Sequence, residues 1–109
     1  MHTHLAAIHA SPAAITPLTA YYKEHGPEFK VTNFLDDGLM RLFAGSDEEA
    51  VERRMTALLG HASAQDGARL AVVTCSAAKR AMLRRVALET GVEVLKIDEP
   101  LANEAVRRG

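Results

Sequence analysis

The residue that invites a chemical reading is Cys75, the only cysteine in the chain. It follows the apolar run Leu70-Ala71-Val72-Val73, stands between the hydroxyl side chains Thr74 and Ser76, and precedes a stretch of helical composition. A buried strand that hands over to a helix puts such residues at the carboxyl edge of an open α/β sheet, where ligands bind. A thiol there faces backbone N–H groups and the positive end of a helix dipole, and both favour the thiolate. A thiolate flanked by hydroxyls suits a base or nucleophile acting beside a carboxylate held at a helix N-terminus. The competing reading is structural, since a lone Cys after a buried strand is often a small core hydrophobe.

This chemistry depends on elements that bring strand ends together. Leu5-Ala6-Ala7-Ile8 is a short apolar strand ending near His9. Ala10-Ser11-Pro12 breaks it, with Ser11 placed to cap a helix and Pro12 at the first helical position. Pro17 would kink a helix running unbroken from Pro12, so a first turn over 12–16 and a helix from Thr16 to His25 are expected. Ile15, Leu18 and Tyr22 share one face of it, and Gly26-Pro27 ends it. Phe29 to Leu35 alternates and is rich in β-branched and aromatic residues, which predicts a second strand closed by Asp36-Asp37-Gly38. A short helical turn over Leu39–Phe43 follows. Ser46-Asp47-Glu48-Glu49 has the pattern of a capping box. The helix behind it carries Val51, Met55, Leu58, Leu59 and Ala62 as its inward stripe.

Ala68 to Thr74 predicts a third strand, apolar throughout as a central parallel strand is. A helix from Ala77 to Glu89 turns Ala78, Met82, Leu83 and Val86 inward and stops at Gly91. Val92 to Ile97 predicts a fourth strand, and Asp98-Glu99-Pro100 opens a last helix. Strands alternating with helices predict one α/β domain over 1–109. Its core is a four-stranded parallel sheet of flavodoxin-like order 2-1-3-4 with helices on both faces.

In that order strands 1 and 3 flank the topological switch, so His9, Ser11, Thr74, Cys75 and Ser76 are the residues expected to line a pocket. Ser11 and Ser76 are equally readable as helix caps, and His9 as a satisfied structural histidine. Asp36 and Asp37 are adjacent on a strand and point opposite ways, which favours turn formation over an acid/base dyad. Asp98 and Glu99 reach the same edge. Lys79, Arg80, Arg84 and Arg85 read as a solvated helix face. His2, His4, His25 and His61 lack metal-ligand spacing with Cys75, so no metal site is expected.

The totals exclude other classes. Lys plus Arg number 13 against 14 Asp plus Glu, a net charge of −1, so no basic stripe for nucleic acid or membrane is expected. One cysteine rules out an intrachain disulfide and suits a reducing, cytoplasmic setting. No run reaches the roughly 18 apolar residues of a membrane span, and Met1-His2-Thr3-His4 lacks a signal-peptide pattern. There is no glycine-rich phosphate loop and no G-x-G-x-x-G after strand 1. A Cys-x5-Arg phosphatase fails by one residue, because Ala81 occupies the required position and Arg80 precedes it. A response-regulator receiver would need an aspartate where Cys75 stands.

Taken in order, Ile8-His9-Ala10-Ser11-Pro12, Asn33-Phe34-Leu35-Asp36-Asp37, Val72-Val73-Thr74-Cys75-Ser76 and Ile97-Asp98-Glu99-Pro100 resemble the aspartate/glutamate/hydantoin racemase superfamily. That superfamily includes amino-acid and hydantoin racemases, maleate isomerase and arylmalonate decarboxylase, all cofactor-independent. The resemblance implies two similar α/β halves facing across a pseudo-twofold, with the active site between them. Each half of a racemase gives one cysteine, one removing the α-proton and the other returning it on the opposite face. Cys75 matches the cysteine of the first half, and Ser76, the neighbouring N–H groups and the Ser11 loop match the carboxylate-holding parts. His9 and Thr74 would join them at the substrate. The decarboxylase branch has two consecutive hydroxyl residues in this loop, whereas Ala77 follows Ser76 here.

This chain corresponds to the first half, so a second cysteine would come from further chain, from another chain, or from a second copy in a C2 contact. The expectation is a cofactor-independent racemase/isomerase-type domain that takes a small carboxylate or amino acid, working as a homodimer or with a complementary half. The alternatives are a non-catalytic α/β binding or assembly module and an activity like that of maleate isomerase or arylmalonate decarboxylase.

Overall fold

Strand β1 (Thr3–His9) pairs on both sides, and the rest of the sheet is laid out from it. The computed structural model describes residues 3–75 and 77–96. In it β1 lies between β2 (Phe29–Leu35) and β3 (Leu70–Val73), and β4 (Glu93–Lys96) extends the sheet beyond β3. Every pairing is parallel and the order is β2-β1-β3-β4, the α/β arrangement that the strand–helix alternation predicts. Ala7 of β1 stands opposite Asn33 on one side and Val72 on the other. Leu5 through Ala10 are all buried. Three of these six are alanines, which lets helices close on both faces of the strand.

A 3-10 turn at Pro12–Ala14 leads into α1 (Ile15–His25). Pro17 is tolerated because it falls in the first turn of α1, where its missing N–H forfeits no intrahelical bond. Leu18 and Tyr22 of α1 pack over Leu5, Ala7 and Val72. The opposite face carries α2 (Gly38–Ala44), α3 (Glu48–Asp66) and α4 (Arg80–Thr90). Leu39, Met55, Leu59 and Val86 from these helices meet Ala6, Ile8 and Val73 in a second, larger cluster. Helices α3 and α4 stop at Gly67 and Gly91, whose φ values of 69° and 73° are left-handed and favour glycine.

The starts of α4 and α3 are set differently from expectation, while α1 and α2 each begin one residue early. Helix α4 begins at Arg80 rather than Ala77, with Lys79 at its N-cap. Ala78 is fully buried, and its N–H donates to the Cys75 carbonyl at 3.3 Å, so packing and this bond hold Ala78 ahead of the helix despite alanine's helix propensity. Helix α3 is capped by Asp47, whose side chain accepts from the Ala50 N–H at 3.1 Å. Ser46 instead closes α2, with φ 57° and its N–H donating to the Phe43 carbonyl at 3.1 Å. The helix expected after Asp98 lies outside the described residues. No helix among the described residues is long and apolar enough to cross a membrane.

Leu59 is 0% exposed between α3 and the sheet. Leu59→Ala is expected to cost about 2–5 kcal/mol of unfolding free energy in urea titration. A loss below about 1 kcal/mol would contradict this packing.

Candidate functional site

The carboxyl edge of the sheet is shaped by the alternation of side chains along each strand. Ala7 and Val72 face α1 while Ile8 and Val73 face α2–α4, and the residues just beyond continue this phase. His9 and Thr74 therefore turn toward the α1 side. Cys75 turns the other way and packs against the α2–α4 cluster. The residues expected to share one pocket are thus divided between two faces of the sheet.

His9 is 0% exposed. Its Nε2 lies 2.8 Å from Asn33 Oδ1, and the Asn33 amide nitrogen donates to Thr19 Oγ1 at 3.0 Å. With Asn33 Oδ1 as the acceptor, the His9 proton sits on Nε2, and Nδ1 accepts from Thr74 Oγ1 at 2.8 Å. Burial pushes the His9 pKa below its ordinary value, against an upward pull from the Asn33 hydrogen bond. Both ring nitrogens are taken by the protein, so His9 does not reach a ligand at this edge. Thr74 is tied inward as well. Its N–H donates to the Ile8 carbonyl at 3.1 Å, and its hydroxyl also lies 3.3 Å from that oxygen.

Cys75 is half-buried and free of any disulfide. Because α4 starts at Arg80 rather than Ala77, the helix dipole expected at the thiol begins three residues farther along than the sequence pattern predicts, five residues past Cys75. Ser11 is exposed immediately past the end of β1, in extended conformation (φ −140°, ψ 160°), and its hydroxyl makes no capping hydrogen bond. Ser76, Asp98 and Glu99 lie outside the described residues. Asp36 is a turn residue: its Oδ1 accepts from the Gly38 N–H at 3.1 Å, and its carboxylate is gripped by Arg54 of α3 through Nε, at 2.7 Å, and Nη2. A Cβ on Gly38 would come within 2.9 Å of that guanidinium. Beside the Cys75 turn, on the α2–α4 face, is a groove of about 280 Å3. Leu42, Phe43, Met82 and Ala77 line it, and its rim carries the Lys79–Glu48 ion pair.

In the sequence Asn33 stands out only as the first residue of the segment Asn33-Phe34-Leu35-Asp36-Asp37, and Thr19 not at all. The signal for Asn33 is its phase: it shares the inward register of Phe29 and Val31, and a polar side chain there needs a partner. Comparison with family models, curated proteins and solved structures returned no match. Chemically, the edge offers one thiol on one face, an exposed hydroxyl at Ser11, and on the α1 side a polar chain that runs from buried His9 through half-buried Asn33 to exposed Thr19.

The state of His9 has a measurable consequence. In the unfolded chain it titrates near about 6.5, whereas the fold favours the neutral ring. The unfolded chain therefore binds more protons below that pH. This contribution to stability is complete above about pH 6.5 and is lost as the pH falls from there through the lower folded value. His9→Gln, which cannot titrate, is expected to flatten the fall in urea midpoint between about pH 7.5 and about pH 5. An unchanged slope would contradict the buried neutral imidazole.

Proposed function

We propose that the chain is a cofactor-independent racemase/isomerase-type domain in which Cys75 is the thiol base for a proton alpha to a carboxylate. The observation that supports this most is the position of Cys75: it leaves a central strand at the β1/β3 switch, half-buried rather than sealed. The thiolate takes the α-proton, becoming a thiol, and the electron pair moves into the carboxylate as an enediolate. Backbone N–H groups and the hydroxyls of Ser11 and Ser76 hold that charge. Return of a proton on the opposite face needs a second acid, which further chain, another chain or a second copy would supply. The setting proposed is the cytoplasm, where a lone thiol stays reduced.

A second reading is a non-catalytic binding or assembly module. It is favoured by the contact of Cys75 with the α2–α4 cluster, which a small core residue would also make.

Solvent exchange separates the two. Aspartate and glutamate incubated in D2O with the chain are expected to gain α-deuterium, and Cys75→Ala is expected to abolish the gain. Exchange that survives in Cys75→Ala would overturn the assignment. Absence of exchange in wild type, together with Cys75 alkylation that malonate does not slow, would favour the module.

A further inference from the structure

We infer that His9 is a positioning residue that clamps Thr74 and thereby sets the direction in which Cys75 leaves the sheet. The inference rests on the reading of Cys75 as the reactive group. The β3 pairing ends at Val73, so Thr74 is the last residue held before the chain turns through Cys75. It is held by its N–H on the Ile8 carbonyl and by its hydroxyl on His9 Nδ1, at 3.1 and 2.8 Å. His9 is in turn fixed by Asn33 of β2, and Asn33 by Thr19 of α1. Successive side chains on an extended strand point to opposite faces. Pinning the Thr74 side chain toward α1 therefore directs Cys75 to the other face, where it packs against the α2–α4 cluster.

An apolar residue at position 9 could fill the same space, but it could not hold a hydroxyl. The imidazole holds it in either protonation state. When neutral, Nδ1 accepts the Thr74 proton. When charged, Nδ1–H donates to Thr74 Oγ1, and the hydroxyl proton can turn to the Ile8 oxygen 3.3 Å away. Only one hydroxyl rotates between the two arrangements, and no donor is left without an acceptor. The ring thus works as a fixed link across the ends of β2, β1 and β3.

The test is the rate at which iodoacetamide alkylates Cys75, the single thiol. Thr74→Val keeps the shape and removes the hydroxyl, whereas Thr74→Ser keeps the hydroxyl. Thr74→Val is expected to accelerate alkylation by about three- to tenfold, the equivalent of one neutral hydrogen bond, with Thr74→Ser close to wild type. Equal rates for wild type and Thr74→Val, or equal acceleration in both variants, would overturn the inference. The His9 ring 15N shifts of the wild-type chain give a second readout that does not depend on a variant folding. Alkylation of Cys75 is expected to move them, and unmoved shifts would overturn the link. Both readouts are independent of turnover. Absent α-proton exchange with a Thr74-dependent rate sinks the proposed reaction alone, and exchange with a Thr74-independent rate sinks the clamp alone.

Discussion

Everything else in this molecule depends on β1 being paired on both edges and covered on both faces. A strand so enclosed has no water for its N–H and C=O groups, so parallel partners on each side must satisfy them. That demand is met by β2 and β3 along matched registers, and it continues past the formal strand ends. The Ile8 carbonyl takes the Thr74 N–H, and the His9 carbonyl takes the Asp36 N–H at 2.9 Å. Three chain segments are thereby drawn together at one edge before any side chain has contributed. His9 stands at the middle of that edge, and its burial follows from the same enclosure. A polar ring in that place requires partners, and Asn33 and Thr74 are the partners the registers bring within reach.

The strand–helix alternation and the inward stripes were legible because they follow from period alone, whereas period leaves the strand order open among those that right-handed crossovers allow. Val51, Met55, Leu59 and Ala62 recur at helical spacing and are the buried residues of α3. Phe29 to Leu35 alternates and forms β2 over that span. Helix starts were less legible, because the deciding forces are not local. Ser46 and Asp47 are both good caps, and the choice between them was made by the closing of α2, which uses Ser46 in a left-handed conformation. Ala77 and Ala78 favour helix, yet burial of Ala78 against the core delays α4 to Arg80. The His9 chain was the least legible. Its partners lie 24 and 65 residues away in sequence, so only the strand registers make them neighbours.

The division of the edge into two faces changes the meaning of its polar residues. A shared register assigns His9, Thr74 and Asn33 to a supporting layer on the α1 side, while Cys75 stands on the α2–α4 side beside the groove at Ala77 and Lys79. Arg54 locks Asp36 into its turn and removes that carboxylate from any acid/base role. The charges on the groove rim are likewise engaged, Lys79 with Glu48 and Arg85 with Glu52 at 2.7 Å. At this edge, the half-buried thiol of Cys75 and the exposed hydroxyl of Ser11, which caps no helix, remain among the described residues. The proposed reaction uses these, and the hydrogen-bonded layer centred on buried His9 supplies rigidity.

The central claim is that a carboxylate binds at the carboxyl edge where β1 and β3 end. Titration of the 15N-labelled chain with malonate tests it most directly. Amide shifts concentrated at Ala10, Ser11 and residues 74–78 are the result the account predicts. Shifts centred elsewhere, or none at saturating malonate, would contradict it.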